Sequence, residues 1–233
     1  MGSDDWYTSS TWSDEDQEIF SAKIKRARYR KWGYMVTKGE ALLRSADASL
    51  FPVGEGLIRE AIEGNPDKFF LAGYYETLGA FYARAGRKDD AIEHFRTAIA
   101  SRTPQFGTRL TELDLATGLL SRQRPEDIEE AGEVLASQPC QDILMNVDRF
   151  RWEFLMATLK LLQGRAAEAV DHAEQALAIA GLSNPQFPRH PTVGVVNAPA
   201  DWLEGLRNII SEAESVSVGK SLTHADWIPK RRS

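Results

Sequence analysis

Apolar positions along the chain recur three and four residues apart, the spacing that puts side chains on one face of an α-helix. Tyr75, Leu78, Gly79 and Tyr82 fall at i, i+3, i+4 and i+7. Gly86, Arg87 and Lys88 interrupt the pattern; Ala91, Ile92, Phe95, Ala98 and Ile99 then resume it at i, i+1, i+4, i+7 and i+8, ahead of Pro104. Two amphipathic helices joined by so short a turn must pack antiparallel. The pattern returns downstream. Trp152, Leu155, Met156, Leu159 and Leu162 form one stripe, and Ala169, Val170, Ala173, Ala176 and Leu177 repeat the second-helix spacing, so that GRKDDAIEHFRTAI (86–99) aligns with GRAAEAVDHAEQAL (164–177). Between these pairs, Ile128, Ala131, Val134 and Leu135 fit the same second-helix template. There Asp127 stands where a small residue is expected, and Pro125 sits in the first turn, where its missing N–H costs nothing. The following stretch ASQPCQDILMNVDR (136–149) is longer than the turns elsewhere and predicts an irregularity.

Upstream, Trp32, Met35, Val36, Gly39, Leu42, Leu43 and Ala46 trace another helical stripe, with Ile58, Ala61 and Ile62 ahead of Asn65-Pro66 as its partner helix. The link SADASLFPVGEG (45–56) reads as a loop by composition. Ser13 with Asp16 three residues later is a form of capping box, opening a helix expected to bury Ile19, Phe20, Ile24 and Ala27. Prolines at 185, 188, 191 and 199 exclude a helix over 183–199. A connection of that length in a compact domain is usually functional, and it is expected to lie over the helices and partly fill their groove. Trp202, Leu203, Leu206, Ile209, Ile210 and Ala213 then predict a last amphipathic helix that covers the end of the core.

The unit at 75–104 resembles the tetratricopeptide repeat (TPR). Tyr75, Leu78, Gly79, Tyr82, Ala91, Phe95 and Ala98 match the family's pattern of aromatic, Leu, Gly, aromatic, Ala, aromatic and Ala, with Pro104 one residue late. The copy at 150–181 departs from it at Ala157, Lys160 and Ala173. The opening Trp6-Tyr7 and Trp12, ahead of a helix ending in Lys25-Arg26-Ala27-Arg28, is also similar to the start of a set of small bacterial TPR-like proteins with no assigned activity. The resemblance implies an all-α fold: a right-handed solenoid of antiparallel helix pairs with an N-terminal helix and a C-terminal capping helix. Its expected parts are an aromatic segment and helix over 1–31, about four irregular pairs over 32–182, the Pro-rich loop 183–199, a capping helix over 200–215 and a weakly ordered tail over 216–233. It also implies a groove lined by the first helix of each pair. Carried onto this chain, the groove positions are Glu76, Ala80 and Arg84, then Arg109, Glu112 and Ala116, then Arg151, Phe154 and Thr158. The paired Lys and Asn pattern by which some TPR domains clamp a terminal carboxylate is absent, so chaperone-tail binding is not expected.

Composition narrows the function classes. Hydrophobic residues make up 42% and charged residues 27%, which excludes wholesale disorder. The single cysteine, Cys140, allows no internal disulfide, and the polar, acidic start has no apolar leader; both fit a cytoplasmic protein. The net charge of −6 argues against a partner held by phosphate neutralisation, although 23–31 gathers six Lys and Arg in nine residues. Nothing in the sequence excludes a homo-oligomer.

Candidate chemistry is sparse. His94, His172, His190 and His224 have no metal-ligand spacing; His94 and His172 occupy equivalent repeat positions and are expected to point outward. Gly54-Glu55-Gly56 lacks the rest of a phosphate-binding fingerprint. Neither a catalytic set, a cofactor motif nor a metal motif emerges. A second candidate surface joins Trp6, Tyr7 and Trp12 with the basic residues Lys23, Arg26 and Arg30, as aromatic and arginine clusters are favoured at interfaces; the same rings could instead pack over the first helices. The expected function is therefore a non-catalytic adaptor or regulator that binds a protein or peptide in the groove. The alternative is an immunity-type inhibitor of a partner enzyme, with an RNA-binding or enzymatic role ranking third.

Overall fold

Residues 5–103, 110–190 and 192–217, with side chains as far as Ala213, are described by the structure, a computed structural model. The described residues form α-helices and short 3₁₀ turns joined by irregular connections, without a β-strand. The chain divides into two compact units, Met1–Gly107 and Thr108–Ser233.

In the first unit, α1 (Asp5–Thr8) and α2 (Asp14–Arg26) pack on α3 (Lys31–Leu43). Two helical hairpins follow: α3 with α4 (Phe51–Gly64), and α5 (Leu71–Arg84) with α6 (Lys88–Ala100). The capping box at the start of α2 is complete, Ser13 Oγ accepting from the Asp16 N–H and the Asp16 carboxylate from the Ser13 N–H. Of the four residues expected to be buried by α2, only Phe20 is; Ile19 is 40% exposed, and Ile24 and Ala27 are half-buried. The helix ends at Arg26, so Ala27 is already its cap, and a single apolar contact row is enough to seat it.

The link 45–56 is a correction. Only its first part is irregular, a short 3₁₀ turn at Ala48–Leu50, and α4 begins at Phe51 with Pro52 in its first turn. Gly54 is there for packing. A Cβ on Gly54 would lie 2.7 Å from the Gly39 carbonyl oxygen, and a Cβ on Gly39 would lie 2.7 Å from that of Gly54. Two glycines let α3 and α4 cross backbone to backbone, which no larger residue permits.

The α5–α6 hairpin uses the same device once. A Cβ on Gly79 would strike the Phe95 ring at 2.6 Å. Gly79→Val is expected to lower stability by about 2 kcal/mol, the usual cost of overpacking. Gly73→Ala in the same helix has open space around it and should be neutral or slightly stabilising. Urea titration of the two variants checks the contrast, and equal losses would remove the packing argument.

The second unit carries two more hairpins, α7 (Leu110–Leu120) with α8 (Pro125–Ala136), and α9 (Asn146–Leu162) with α10 (Ala166–Ala180). Here α9 also packs on α7 and α8, and α11 (Ala200–Ser217) packs on α10 and α9. Leu206 and Ile209 bury the apolar face of α11, as its periodicity requires. The irregular stretch after α8 is shorter than expected, since a 3₁₀ turn at Cys140–Asp142 leads into α9 at Asn146. Asp127 in α8 is 1% exposed and held by Arg122 through a two-pronged ion pair, Nε to Oδ2 at 2.6 Å and Nη2 to Oδ1 at 2.5 Å. Pro104, Arg109 and the stretch 218–233 lie outside the described residues.

Both repeat-equivalent histidines point inward, contrary to expectation. His94 is buried, donates from Nδ1 to the Asp90 carbonyl oxygen at 2.8 Å and packs edge-on to Tyr82. His172 directs Nδ1 at the Glu153 carboxylate, 2.7 Å away, and packs edge-on to Trp152. The reason is positional: each lies three residues after one buried alanine and four before another, Ala91 and Ala98 or Ala169 and Ala176, on the inner stripe of its helix.

Candidate functional site

The groove positions fall in both units. In the first, Glu76 and Ala80 are half-buried and Arg84 is exposed, all on α5. In the second, α7 buries Glu112 and Ala116, and α9 buries Phe154 and Thr158. These four side chains are enclosed because α9 is packed from several sides. Phe154 lies under Trp202 of α11, rings stacked 4.3 Å apart, and the Thr158 hydroxyl is spent on the Phe154 carbonyl oxygen. Arg151 alone of the second unit's described groove positions keeps partial access.

Arg151 also borders a concavity of about 730 Å³, the right size for a peptide side chain or small ligand. Val147, Asp148, Phe150 and Arg151 line it from the first turns of α9, and Val196 to Trp202 line it from the Pro-rich connection and the start of α11. The connection is pinned in place by Gln186, whose amide oxygen accepts from the Asn146 N–H at 3.1 Å and whose NH₂ donates to the Leu144 carbonyl oxygen at 2.6 Å. Gly194 makes this possible, since its φ of 82° is a left-handed conformation and a Cβ there would strike Gln186 at 2.3 Å. Gln186 therefore holds the Pro-rich connection against the N-terminal end of α9, within the second unit, and Val196 of the connection is buried.

Electrostatics distinguish the residues of this concavity. Arg151 is committed to α7: its Nη2 donates to the Asp114 carboxylate at 2.7 Å, the Thr117 hydroxyl at 2.9 Å and the Leu113 carbonyl oxygen at 3.2 Å. Asp148 has no side-chain hydrogen bond among the described residues and is half-buried. Burial pushes its carboxyl above the ordinary value; Arg151 opposes this and Asp114 adds to it. The sign follows from linkage. Folding disfavours the ionised form, so Asp148 subtracts stability above its raised pKa, and the loss is recovered as pH falls through that value toward the ordinary carboxylate range.

The second candidate surface is resolved differently. Trp6 packs on Phe20, Tyr34 and Tyr7 at centroid distances of 5.6, 4.9 and 5.0 Å, and Trp12 on Phe20 at 5.4 Å. Tyr7 stacks near Tyr34, and the three rings are half-buried. Lys23 reaches over Trp6, its Nζ 5.3 Å from the ring centre, whereas Arg26 and Arg30 are exposed. What the periodicity did not announce is Lys38, fully buried on α3, which donates to the Ser9 carbonyl oxygen, the Ser9 hydroxyl and the Thr11 carbonyl oxygen at 2.8–2.9 Å. It ties the aromatic segment to the first hairpin.

Cys140 is half-buried, and burial raises its thiol above the ordinary value, so the reactive thiolate is disfavoured. No group of three or more metal-ligating side chains occurs among the described residues, and no helix there is long and apolar enough to cross a membrane. Comparison with protein-family profiles, with curated proteins and with solved structures finds no match in any of the three.

Proposed function

We propose that this chain is a TPR-like helical-repeat protein, a non-catalytic module that binds a protein or peptide partner. The observation that carries the reading is the concavity at the start of α9 and α11, an apolar pocket with few convergent polar groups. Val147 of its lining is 45% exposed, and Leu144, bonded to the Gln186 clamp just ahead of α9, is 72% exposed. Exposed large apolar side chains gathered beside a pocket are what a partner's interface core requires. The order of elements supports the repeat reading. In three of the four pairs the first helix is followed after a turn of three or four residues by the second, and α11 stands where the first helix of a further pair would follow α10. On this reading the accessible contact of the second unit is concentrated at the pocket, not spread over all of that unit's groove positions.

The test is site-specific photo-crosslinking. A photoreactive residue at Val147 should trap one protein from the native cell, and the same residue at the exposed Glu174 of α10 should trap none. Adducts of equal number and kind from both positions would overturn the module reading.

A further inference from the structure

The chemistry of the pocket goes one step beyond that reading and rests on it. We infer that the pocket between α9 and α11 takes a cationic side chain, lysine or arginine, flanked by apolar residues of a partner peptide. Three observations converge on this class of ligand. The first is charge. Among the described residues Arg151 is the one cation lining the pocket, against Asp148 and Asp201; its Nη2 is bound to a third carboxylate, Asp114, while its buried Nε has no hydrogen-bond partner. The pocket thus keeps uncompensated negative charge, and Asp148 has no hydrogen-bonded partner among the described residues.

The second is the wall. Trp202 is the partly exposed aromatic ring of the lining, near parallel to the ring of Phe150, which lies 6.3 Å away between centroids and is itself buried. Aromatic faces attract an ammonium or guanidinium through the ring quadrupole, most strongly when water is excluded. Val147, Val196, Ala198 and Pro199 supply the apolar surface on which the aliphatic stem of Lys or Arg would lie. The third is the nature of the donors. Asp148 and Asp201 are, when ionised, acceptors only, which suits a ligand carrying N–H donors and a positive charge. An anionic ligand would face Asp148 and Asp201, two carboxylates against the single Arg151, and like charges repel it.

A half-buried carboxylate held above its ordinary pKa is restored to the ionised form by a cation placed beside it, so ligand binding and Asp148 ionisation are coupled. Asp148 is faced by Asp114 of α7, Arg151 of its own helix and Asp201 of α11. Binding is therefore expected to weaken as pH falls into the range where Asp148 takes up a proton.

The test is selection of a displayed random peptide library on the intact full-length chain and, in parallel, on Asp148→Asn. The native chain should enrich peptides with Lys or Arg next to an apolar residue. A synthetic peptide of the enriched sequence should bind Asp148→Asn at least tenfold more weakly, and replacing its cation by citrulline or norleucine should cost as much. Because the ionised Asp148 subtracts stability, Asp148→Asn should melt no lower than the native chain, which separates lost binding from lost folding. Enriched peptides without a cation, or equal affinity for the two chains, would overturn the cationic specificity while leaving the peptide-binding module intact. No enrichment from the native chain would also overturn it; whether the module reading falls too is decided by the Val147 cross-link.

Discussion

Asp127→Ala is expected to destabilise the second unit by about 3–5 kcal/mol, the cost of leaving one member of a buried ion pair without its partner. Both sides of the pair are shielded: the Asp127 side chain is 1% exposed and that of Arg122 13%. Pairs such as Arg59–Glu55 and Arg87–Asp90 are mostly solvated, where screening and side-chain entropy leave little net gain. Removing the Asp127 carboxylate takes away the acceptor of both the Nε and the Nη2 bond of Arg122 at the α7–α8 turn. The measurement is urea unfolding followed by circular dichroism. Arg122→Met with Asp127→Leu should recover most of the loss, because an apolar pair of similar volume has no desolvation cost to repay. A single-variant loss below about 0.5 kcal/mol, the range of ordinary surface substitutions, would mean that water reaches the pair.

The second large effect is expected at Lys38. Its ammonium has three donors and finds three acceptors, the Ser9 and Thr11 carbonyl oxygens and the Ser9 hydroxyl. Lys38→Met keeps the buried stem and removes the donors, leaving carbonyl groups without partners at a cost of about 3 kcal/mol. The loss should be local. Residues 5–13 would detach from α3 while the hairpins α3–α4 and α5–α6 persist, since their contacts do not involve this segment. Trp6 and Trp12 report it: their emission should move to the red and proteases should cut near Ser10 well below the global unfolding midpoint. Lys38→Arg should not rescue, because a planar fork cannot meet three acceptors grouped around one point. Unchanged emission in Lys38→Met would show that ring packing on Phe20 and Tyr34 alone holds the segment. Burial holds the Lys38 pKa below its ordinary value; the unfolded chain then binds the proton more readily, so raising pH through that range does not weaken the fold.

Much of this was legible before any tertiary contact was known. The stripes at 75–82, 91–99, 152–162, 169–177 and 202–213 each became a helix, and Ser13 with Asp16 became a complete cap. Asp127 was legible too, as the exception at the start of its helix, whereas nothing in the periodicity singled out Lys38. Lys38 stands three residues after Met35 and four before Leu42, and Asp127 four before Ala131; both are carried inside by their helix faces. The inward turn of His94 and His172 follows from the same spacing, which outweighs the general preference of histidine for the surface.

The partners of those residues were not legible. Lys38 meets Ser9 and Thr11 across 27 to 29 positions of sequence, and Arg151 meets Asp114 across 37. Periodicity says which face of a helix turns inward; it does not say which other element it meets. The candidate pocket depends on that missing information. Its lining comes from two stretches, 147–151 and 196–202, joined only because Gln186 clamps the Pro-rich connection to the start of α9 and Trp202 stacks on Phe154.

The sequence by itself therefore determined the helices, because backbone hydrogen bonding and the 3.6-residue period are local properties of each segment. It also determined the hairpins, because a turn of three or four residues leaves two helices no other way to pack. Only the tertiary structure decided which groove positions stay open, where the spare negative charge gathers and what each buried polar group is bonded to. Those outcomes depend on contacts between segments far apart in the chain, whose geometry no local spacing records.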